Sequence, residues 1–232
     1  MTIGFSVKEV LLLNVTLHRN HHRLRGGPPG SPRLTRRPVK QVPWSELWNA
    51  ACFNHPARVA ELLLKAADPS VLNVNKENRG HYAYTPLHIA AELGHVEVVQ
   101  LLLRHPGIRV NQRTDRGATP FLLACCHGRT EVVTEMLKDP RLGVSQANTQ
   151  GLTPLWVAAC NGHLAILKWI VVSGKRLDLE AKYAFDGTTP LEIAKAMGHM
   201  EVVRLLQELT QDEKGTRKRM TGNVVLRSLC SP

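Results

Sequence analysis

The chain has 232 residues, 43% of them apolar, which is enough to build a packed core, and a formal net charge of +11 that is unevenly placed. Residues 1–42 carry eight Lys/Arg against one acid and residues 211–232 carry five against two, leaving seventeen against sixteen over residues 43–210. The balanced middle excludes a uniformly basic, phosphate-binding domain, and the apolar content excludes a wholly disordered chain.

In chain order, Ile3 to Leu17 is apolar enough for a short helix. Its longest apolar run, Val10 to Leu13, falls far short of the roughly 18 residues of a membrane span. Residues 18–42 are rich in Arg, Gly and Pro and nearly free of acids and aromatics, so 1–42 is expected to be a basic, largely disordered arm. Its acid-poor, Arg-rich composition is also compatible with a mitochondrial transit peptide. Residues 43–210 carry a repeat. Thr-Pro-[Leu/Phe] recurs at Thr85, Thr119, Thr153 and Thr189, and the segments TPLHIAAELGHVEVVQLLL, TPFLLACCHGRTEVVTEML, TPLWVAACNGHLAILKWIV and TPLEIAKAMGHMEVVRLLQ align without a gap.

Each segment reads as a helix, a tight turn and a second helix. The Thr hydroxyl caps a helix whose first position takes the Pro without losing a hydrogen bond. Gly94, Gly128, Gly162 and Gly198 end that helix in the left-handed conformation. Apolar positions such as Val98, Val99, Leu102 and Leu103 then give the second helix one buried face. Helices under about 12 residues are marginal alone in water, so the units must stack. Ala90 and Ala91, Ala124 and Cys125, and Ala158 and Ala159 sit where helices of adjacent units approach closely. The last unit has Ala194 and Lys195 there, and the Lys marks a face with no further unit beyond it.

These segments resemble the ankyrin repeat, whose T-P-L-H-x-A signature is matched letter for letter by TPLHIA at Thr85–Ala90. LWNAACFNHPARVAELL at Leu47–Leu63 resembles the family's degenerate opening repeat, with Asn54 where Gly is usual. The resemblance implies an all-α solenoid of stacked helix-turn-helix units with hairpin loops. An opening repeat is expected over about 43–80 and full repeats from near 81, 115, 149 and 185. The links RHPGIRVN and KDPRLGVSQAN run one residue longer than the family's, and the link through LEAKYAFDG is longer still, which loosens the placing of the last hairpin tip. Residues 211–232 are expected to form a basic tail, in which KGTRKRM (Lys214–Met220) reads as a solvated stretch, a nuclear localisation signal or an electrostatic docking segment.

No residue is singled out for catalysis, for a cofactor or for a metal. The phosphate-loop, H-E-x-x-H, G-x-S-x-G and kinase signatures do not occur. His88, His95, His163 and His199 are periodic, and the resemblance gives such histidines a structural role in tying helix to loop by hydrogen bonds. Cys52, Cys126 and Cys160 recur one per unit on helices about 8–10 Å apart, too far for ligands that each lie about 2.0–2.3 Å from a zinc ion. The five cysteines, odd in number and without a C-x-x-C pair, favour a reducing compartment, hence cytoplasm or nucleus, with the mitochondrion as the alternative.

The expected function is a protein-protein interaction module or adaptor, not an enzyme, and a monomer. The rival is a nucleic-acid or anionic-surface binder that uses the basic ends with the repeats as scaffold, and salt dependence separates the two. By the family resemblance, ligands meet the hairpin tips and the exposed side of the first helices. On this chain that gives Tyr82, Tyr84, Glu92, Leu93, Asp115, Arg116, Cys126, His127, Thr149, Gln150, Cys160, Asn161, Phe185 and Asp186.

Overall fold

Each Thr-Pro pair starts a helix as its chemistry dictates. The side-chain oxygens of Thr85, Thr119, Thr153 and Thr189 accept from the backbone N–H of His88, Leu122, Trp156 and Glu192, with Pro at the first turn each time. Ser45 caps the opening helix in the same way, accepting from Trp48 N at 3.2 Å. The structure, a computed structural model, describes residues 45–65, 73–78 and 81–222. The expected arm 1–42 and the end of the tail, 223–232, lie outside the described residues.

Five helix pairs follow one another. They are α1 (Glu46–Cys52) with α2 (Pro56–Lys65), α3 (Pro86–Leu93) with α4 (Val96–Arg104), α5 (Pro120–Cys126) with α6 (Thr130–Leu137), α7 (Pro154–Cys160) with α8 (Leu164–Val172), and α9 (Pro190–Ala196) with α10 (Met200–Gln211). A further helix, α11 (Glu213–Gly222), closes the series. The first members stack on one another as an inner row and the second members as an outer row. The core runs unbroken between the rows, and Ala90, Ala91, Ala124, Cys125, Ala158, Ala159 and Ala194 are fully buried in it, whereas Lys195 is exposed. The chain between helices of a pair turns at positive φ, including Asn54 at 54° in place of glycine.

One joint is repeated between units. The residue after the turn glycine reaches back to the last carbonyl of the preceding inner helix. His95 Nε2 donates to Cys52 O at 3.2 Å, Arg129 Nε to Glu92 O at 2.8 Å, His163 Nε2 to Cys126 O at 3.3 Å and His199 Nε2 to Cys160 O at 3.0 Å. In the three later joints the side chain lies over the turn glycine of the unit before. A Cβ built on Gly128 would stand 2.8 Å from His163 Cε1, and one on Gly162 2.6 Å from His199 Nδ1. At Gly198 nothing lies within 4 Å, because no described unit follows.

Two more joints accompany it. At the hairpin tips, Asp115 N donates to Tyr82 O (3.1 Å), Thr149 N to Arg116 O (3.0 Å) and Ala184 N to Gln150 O (3.0 Å), so the tips are laced into a single line. The long last link does not break this line: of its two extra residues, one lies before Tyr183 and one is absorbed inside the hairpin. The closing bond there runs from Tyr183 N to Thr188 O, where the preceding hairpins close from Thr114 to Ala118 and from Asn148 to Leu152. In the links, Asn75 and Asn111 each donate to a carbonyl of the next link, Gly107 O at 2.8 Å and Arg141 O at 2.7 Å, and accept from its backbone at Arg109 N and Gly143 N.

The expected tail needs correcting. Cations cover carbonyls at the ends of outer helices and in the links that follow: Arg141 Nη2 donates to Leu103 O (2.9 Å), and Lys175 Nζ to Asp139 O (3.1 Å) and Leu142 O (3.2 Å). At α8 the same part is played by Arg217 of α11, which donates to Val171 O at 3.1 Å and Lys175 O at 2.9 Å. Thr216 is 1% exposed and its hydroxyl donates to Glu208 O at 3.2 Å. Residues 213–222 thus form a closing helix against α8 and α10. The charge-rich stretch hides this, because it is held by polar groups reaching carbonyls and not by an apolar period.

Two stability differences follow. Gly128→Ala and Gly198→Ala both place a Cβ at positive φ, but only the first displaces a histidine from its carbonyl. Chemical denaturation should find Gly128→Ala about 1 kcal/mol more destabilising than Gly198→Ala. Arg217→Ala, which leaves the Val171 and Lys175 carbonyls without their charged donor, should lower unfolding free energy by about 1–3 kcal/mol, and an unchanged midpoint would show α11 to be dispensable.

Candidate functional site

The stack fixes two strips of side chain that the joints leave free. The first is the line of hairpin tips. Tyr82 is 42% exposed and Phe185 77% exposed, and Asp115, Arg116, Thr149, Gln150 and Asp186 are exposed beside them. The Arg116 guanidinium lies over the Tyr82 ring, 4.6 Å from its centroid. Tyr82 and the next residue, Ala83, hold φ of 52° and 58°, a left-handed backbone that non-glycine residues adopt at a cost of about 1–3 kcal/mol when the surroundings enforce it. Here the enforcement comes from Tyr84 N donating to His81 O (2.9 Å) and from the tip bond to Asp115. At the other end Phe185 stacks on Tyr183 (5.4 Å), which stacks on Trp156 (5.2 Å), and Trp156 Nε1 donates to Thr188 O at 3.0 Å. Asp186 also turns its carboxylate inward, where it accepts from Thr188 N and Oγ1.

The second strip is the exposed side of the inner helices. Leu93, Cys126, His127 and Asn161 are half-buried there. His127 is fixed by Nδ1 donating to Leu123 O at 2.9 Å, and Asn161 by Nδ2 donating to Cys126 O and Val157 O. Three expected contact residues are instead interior: Tyr84 is 7% exposed, Glu92 4% and Cys160 2%. Tyr84 is covered by the His81 ring at 4.6 Å and the His88 ring at 5.5 Å, and Cys160 sits beneath the His199 joint. The sequence did not single out Tyr183 and Trp156, which support Phe185. The one available signal was a Trp in the helix position that holds His88 in the first full unit.

The electrostatics of this strip follow from burial. Desolvation pushes the Cys126 thiol up to about 12 and the Cys160 thiol up to about 11, and raises Cys52 and Cys125 as well, so these thiols stay protonated at neutral pH. Burial, then the nearby Glu92 carboxylate, drives the Tyr84 phenol above its ordinary range, and the hydroxyl donates to that carboxylate. His88, fully buried, accepts from Thr85 N at Nδ1 (3.2 Å) and therefore donates from Nε2 to Ala118 O (3.2 Å). Burial holds its pKa down to about 4. Among the described residues no group of three or more His, Cys, Asp or Glu is placed to hold a metal ion, and no helix is long and apolar enough to cross a membrane.

Stacked two-helix units with hairpin tips laced in line define a repeat solenoid. A family model described as ankyrin repeats (3 copies) matches residues 47–144 and 135–218, well over half of the chain. The chain belongs to the ankyrin-repeat family. The comparison with curated proteins gives no match.

The histidines predict a pH dependence. His88 is neutral in the folded and unfolded chain above about pH 6.5. As pH falls from there toward about 4, the unfolded chain takes up the proton first, so stability is lost on acidification by about 1 kcal/mol per pH unit from this group. His95 and His163, also lowered by burial, act in the same direction. Melting followed between pH 7 and pH 5 should show a falling Tm, with a shallower slope in His88→Gln, and equal slopes would remove His88 from the account.

Proposed function

We propose that this chain is a protein-interaction module that binds a partner protein through its hairpin tips and the exposed side of its inner helices. Ankyrin repeats generally serve as protein-protein interaction modules. The observation that carries the reading here is the line of exposed Tyr82, Arg116 and Phe185 on tips joined by backbone hydrogen bonds. Aromatic and Arg side chains dominate binding energy when desolvated. Holding them on a laced, stacked frame lowers the ordering entropy that binding would otherwise lose. Leu93, His127, Asn161, Thr149 and Gln150 would supply the adaptable contacts around these anchors.

The basic-terminus reading draws less support from the fold. Within 211–222, Arg217 is engaged with helix carbonyls and Arg219 pairs with Glu208 at 3.4 Å, which removes two of the cations on which electrostatic docking would draw. Binding through phosphate contacts should also collapse between low and moderate salt, whereas an interface anchored by aromatics should persist.

The test is affinity capture with the full chain followed by quantitative binding to the protein recovered. Tyr82→Ala, Arg116→Ala and Phe185→Ala should each weaken binding by about 2 kcal/mol where the residue is a hot spot, with Tm unchanged. Gln100→Ala on the outer row should leave affinity within error. Loss of binding in Gln100→Ala alone would place the interface on the outer helices and overturn the reading.

A further inference from the structure

The joint between successive links is complete twice and half made the third time. Asn75 and Asn111 each lay a carboxamide across the next link, Nδ2 donating to one carbonyl and Oδ1 accepting from the N–H two residues on. The corresponding residue of the next unit is Ser145. Its hydroxyl makes the first bond, Oγ donating to Arg176 O at 2.9 Å, but is too short to make the second. The N–H that corresponds to those of Arg109 and Gly143 belongs to Asp178, and it has no hydrogen-bond partner among the described residues.

At this place a cavity of about 930 Å³ lies between residues 142–146 and 175–180. Its floor is apolar: Leu142 and Val144 are buried, and Leu177 and Leu179 pack against the core. On one side Gln146 folds over Gly143, where a built Cβ would stand 2.7 Å from its Nε2. The Gln146 carboxamide makes no hydrogen bond among the described residues, whereas Gln112, one unit earlier, donates to Glu77 Oε1 at 2.8 Å. The charged groups around the cavity balance, Lys175 and Arg176 against Asp178 and Glu180. Two of the four are also engaged within the chain, the Lys175 ammonium with Asp139 O and Leu142 O and the Asp178 carboxylate with Glu180 N. No net charge therefore selects an anion or a cation.

We propose that this cavity is a binding site for a carboxamide side chain, Asn or Gln, carried by a segment of the protein partner. The site lies on the links and not on the tips, so it goes beyond the interaction reading above and rests on it only in that the partner is a protein. The fold itself selects the occupant, because in two preceding links the same pair of main-chain groups, a carbonyl and the N–H two residues on, is met by a carboxamide. The incoming oxygen would accept from Asp178 N, and the amino group would donate to Arg176 O, whose second lone pair Ser145 leaves open. A carboxylate has no donor for that carbonyl, and an ammonium or guanidinium has no acceptor for that N–H. The apolar floor keeps water from one side of the pair, where each hydrogen bond is stronger than in open solvent. Gln146, half-buried and unengaged beside it, supplies a further donor and acceptor.

The test uses the isotope-labelled full chain and three probes of one shape, the methylamides of N-acetyl-asparagine, N-acetyl-aspartate and N-acetyl-leucine. Saturable shifts of the Ser145, Gln146 and Asp178 amides are expected with the asparagine probe, and binding weaker by about tenfold or more with the other two. Equal responses to the asparagine and leucine probes, or shifts that leave Asp178 untouched, would overturn the proposal. Ser145→Asn lets the chain fill its own site. In that variant hydrogen exchange at the Asp178 amide should slow by about tenfold or more, and the asparagine probe should no longer bind. An Asp178 amide that exchanges as before would show that the place does not fit a carboxamide, and undiminished probe binding to a protected variant would put the probe elsewhere; either result sinks the assignment. The comparison of probes on the unmodified chain needs no variant to fold. It also needs no partner, so its failure is distinct from failure of the tip reading, which the Tyr82, Arg116 and Phe185 variants decide.

Discussion

The structure depends on a contact that no single unit can make. Each helix pair has an apolar face too short to be stable alone and a last inner-helix carbonyl without an intrahelical partner. The next unit meets both needs at once, by packing its alanines against the helix and laying a His or Arg over the turn glycine to reach the carbonyl. The two requirements are geometrically linked. In the three later joints the side chain descends to the carbonyl over a glycine, which leaves room by lacking a Cβ and suits the left-handed φ of the turn, while in the opening unit Asn54 holds that turn and His95 still reaches Cys52 O. The ends of the stack show the same logic by default. His55, which follows the turn of the opening unit, is exposed, and Gly198 is uncovered. The exposed Lys195 and half-buried Asn49 of the terminal inner helices make those faces polar. Such faces discourage the continued stacking that a repetitive joint would otherwise invite.

Much of this was legible in the sequence because it is carried by residues whose backbone preferences are strong and whose spacing repeats. Thr-Pro announced each inner helix, Gly its end, and the alanine pairs the close approach. Arg129 was harder to read, since the same slot holds His in the other units, yet a guanidinium can donate to a carbonyl as an imidazole does. Periodicity gives the face of a helix but not the depth of a side chain. Tyr84, Glu92 and Cys160 were expected at the surface and are interior, Tyr84 because the rings of His81 and His88 pack against it. α11 was illegible for a different reason: its anchor is a cation donating to carbonyls, an interaction with no apolar signature, in a stretch that reads as a solvated tail.

The tips and the inner-helix floor would contribute differently to the proposed recognition. The tips present large rings whose backbone is held by three lacing bonds and, at Tyr82, by a left-handed conformation that the local turn enforces. That is preorganisation, and its effect is to reduce what binding must order. The floor is mostly thiol, amide and alkyl, with raised thiol pKa values that keep it uncharged.

This division has a cause in how a repeat is built. Positions that serve the joint, above all the Thr, Pro and Gly of each full unit, keep nearly the same form, with exchanges such as Arg129 for His and Cys125 for Ala that preserve the contact, since each meets a counterpart in the neighbouring unit. The remaining positions meet no counterpart of that kind, so the stack places no demand on them. The tip series Tyr82, Arg116, Gln150 and Phe185 and the floor series Glu92, Cys126, Cys160 and Ala196 differ from unit to unit for this reason. A partner that reads this surface can distinguish one unit from the next only at such positions. On the proposed interaction reading, specificity would reside where the sequence departs from its own period, and the largest exposed departures in size and charge, Tyr82, Arg116 and Phe185 on the tips, are the groups best able to carry it.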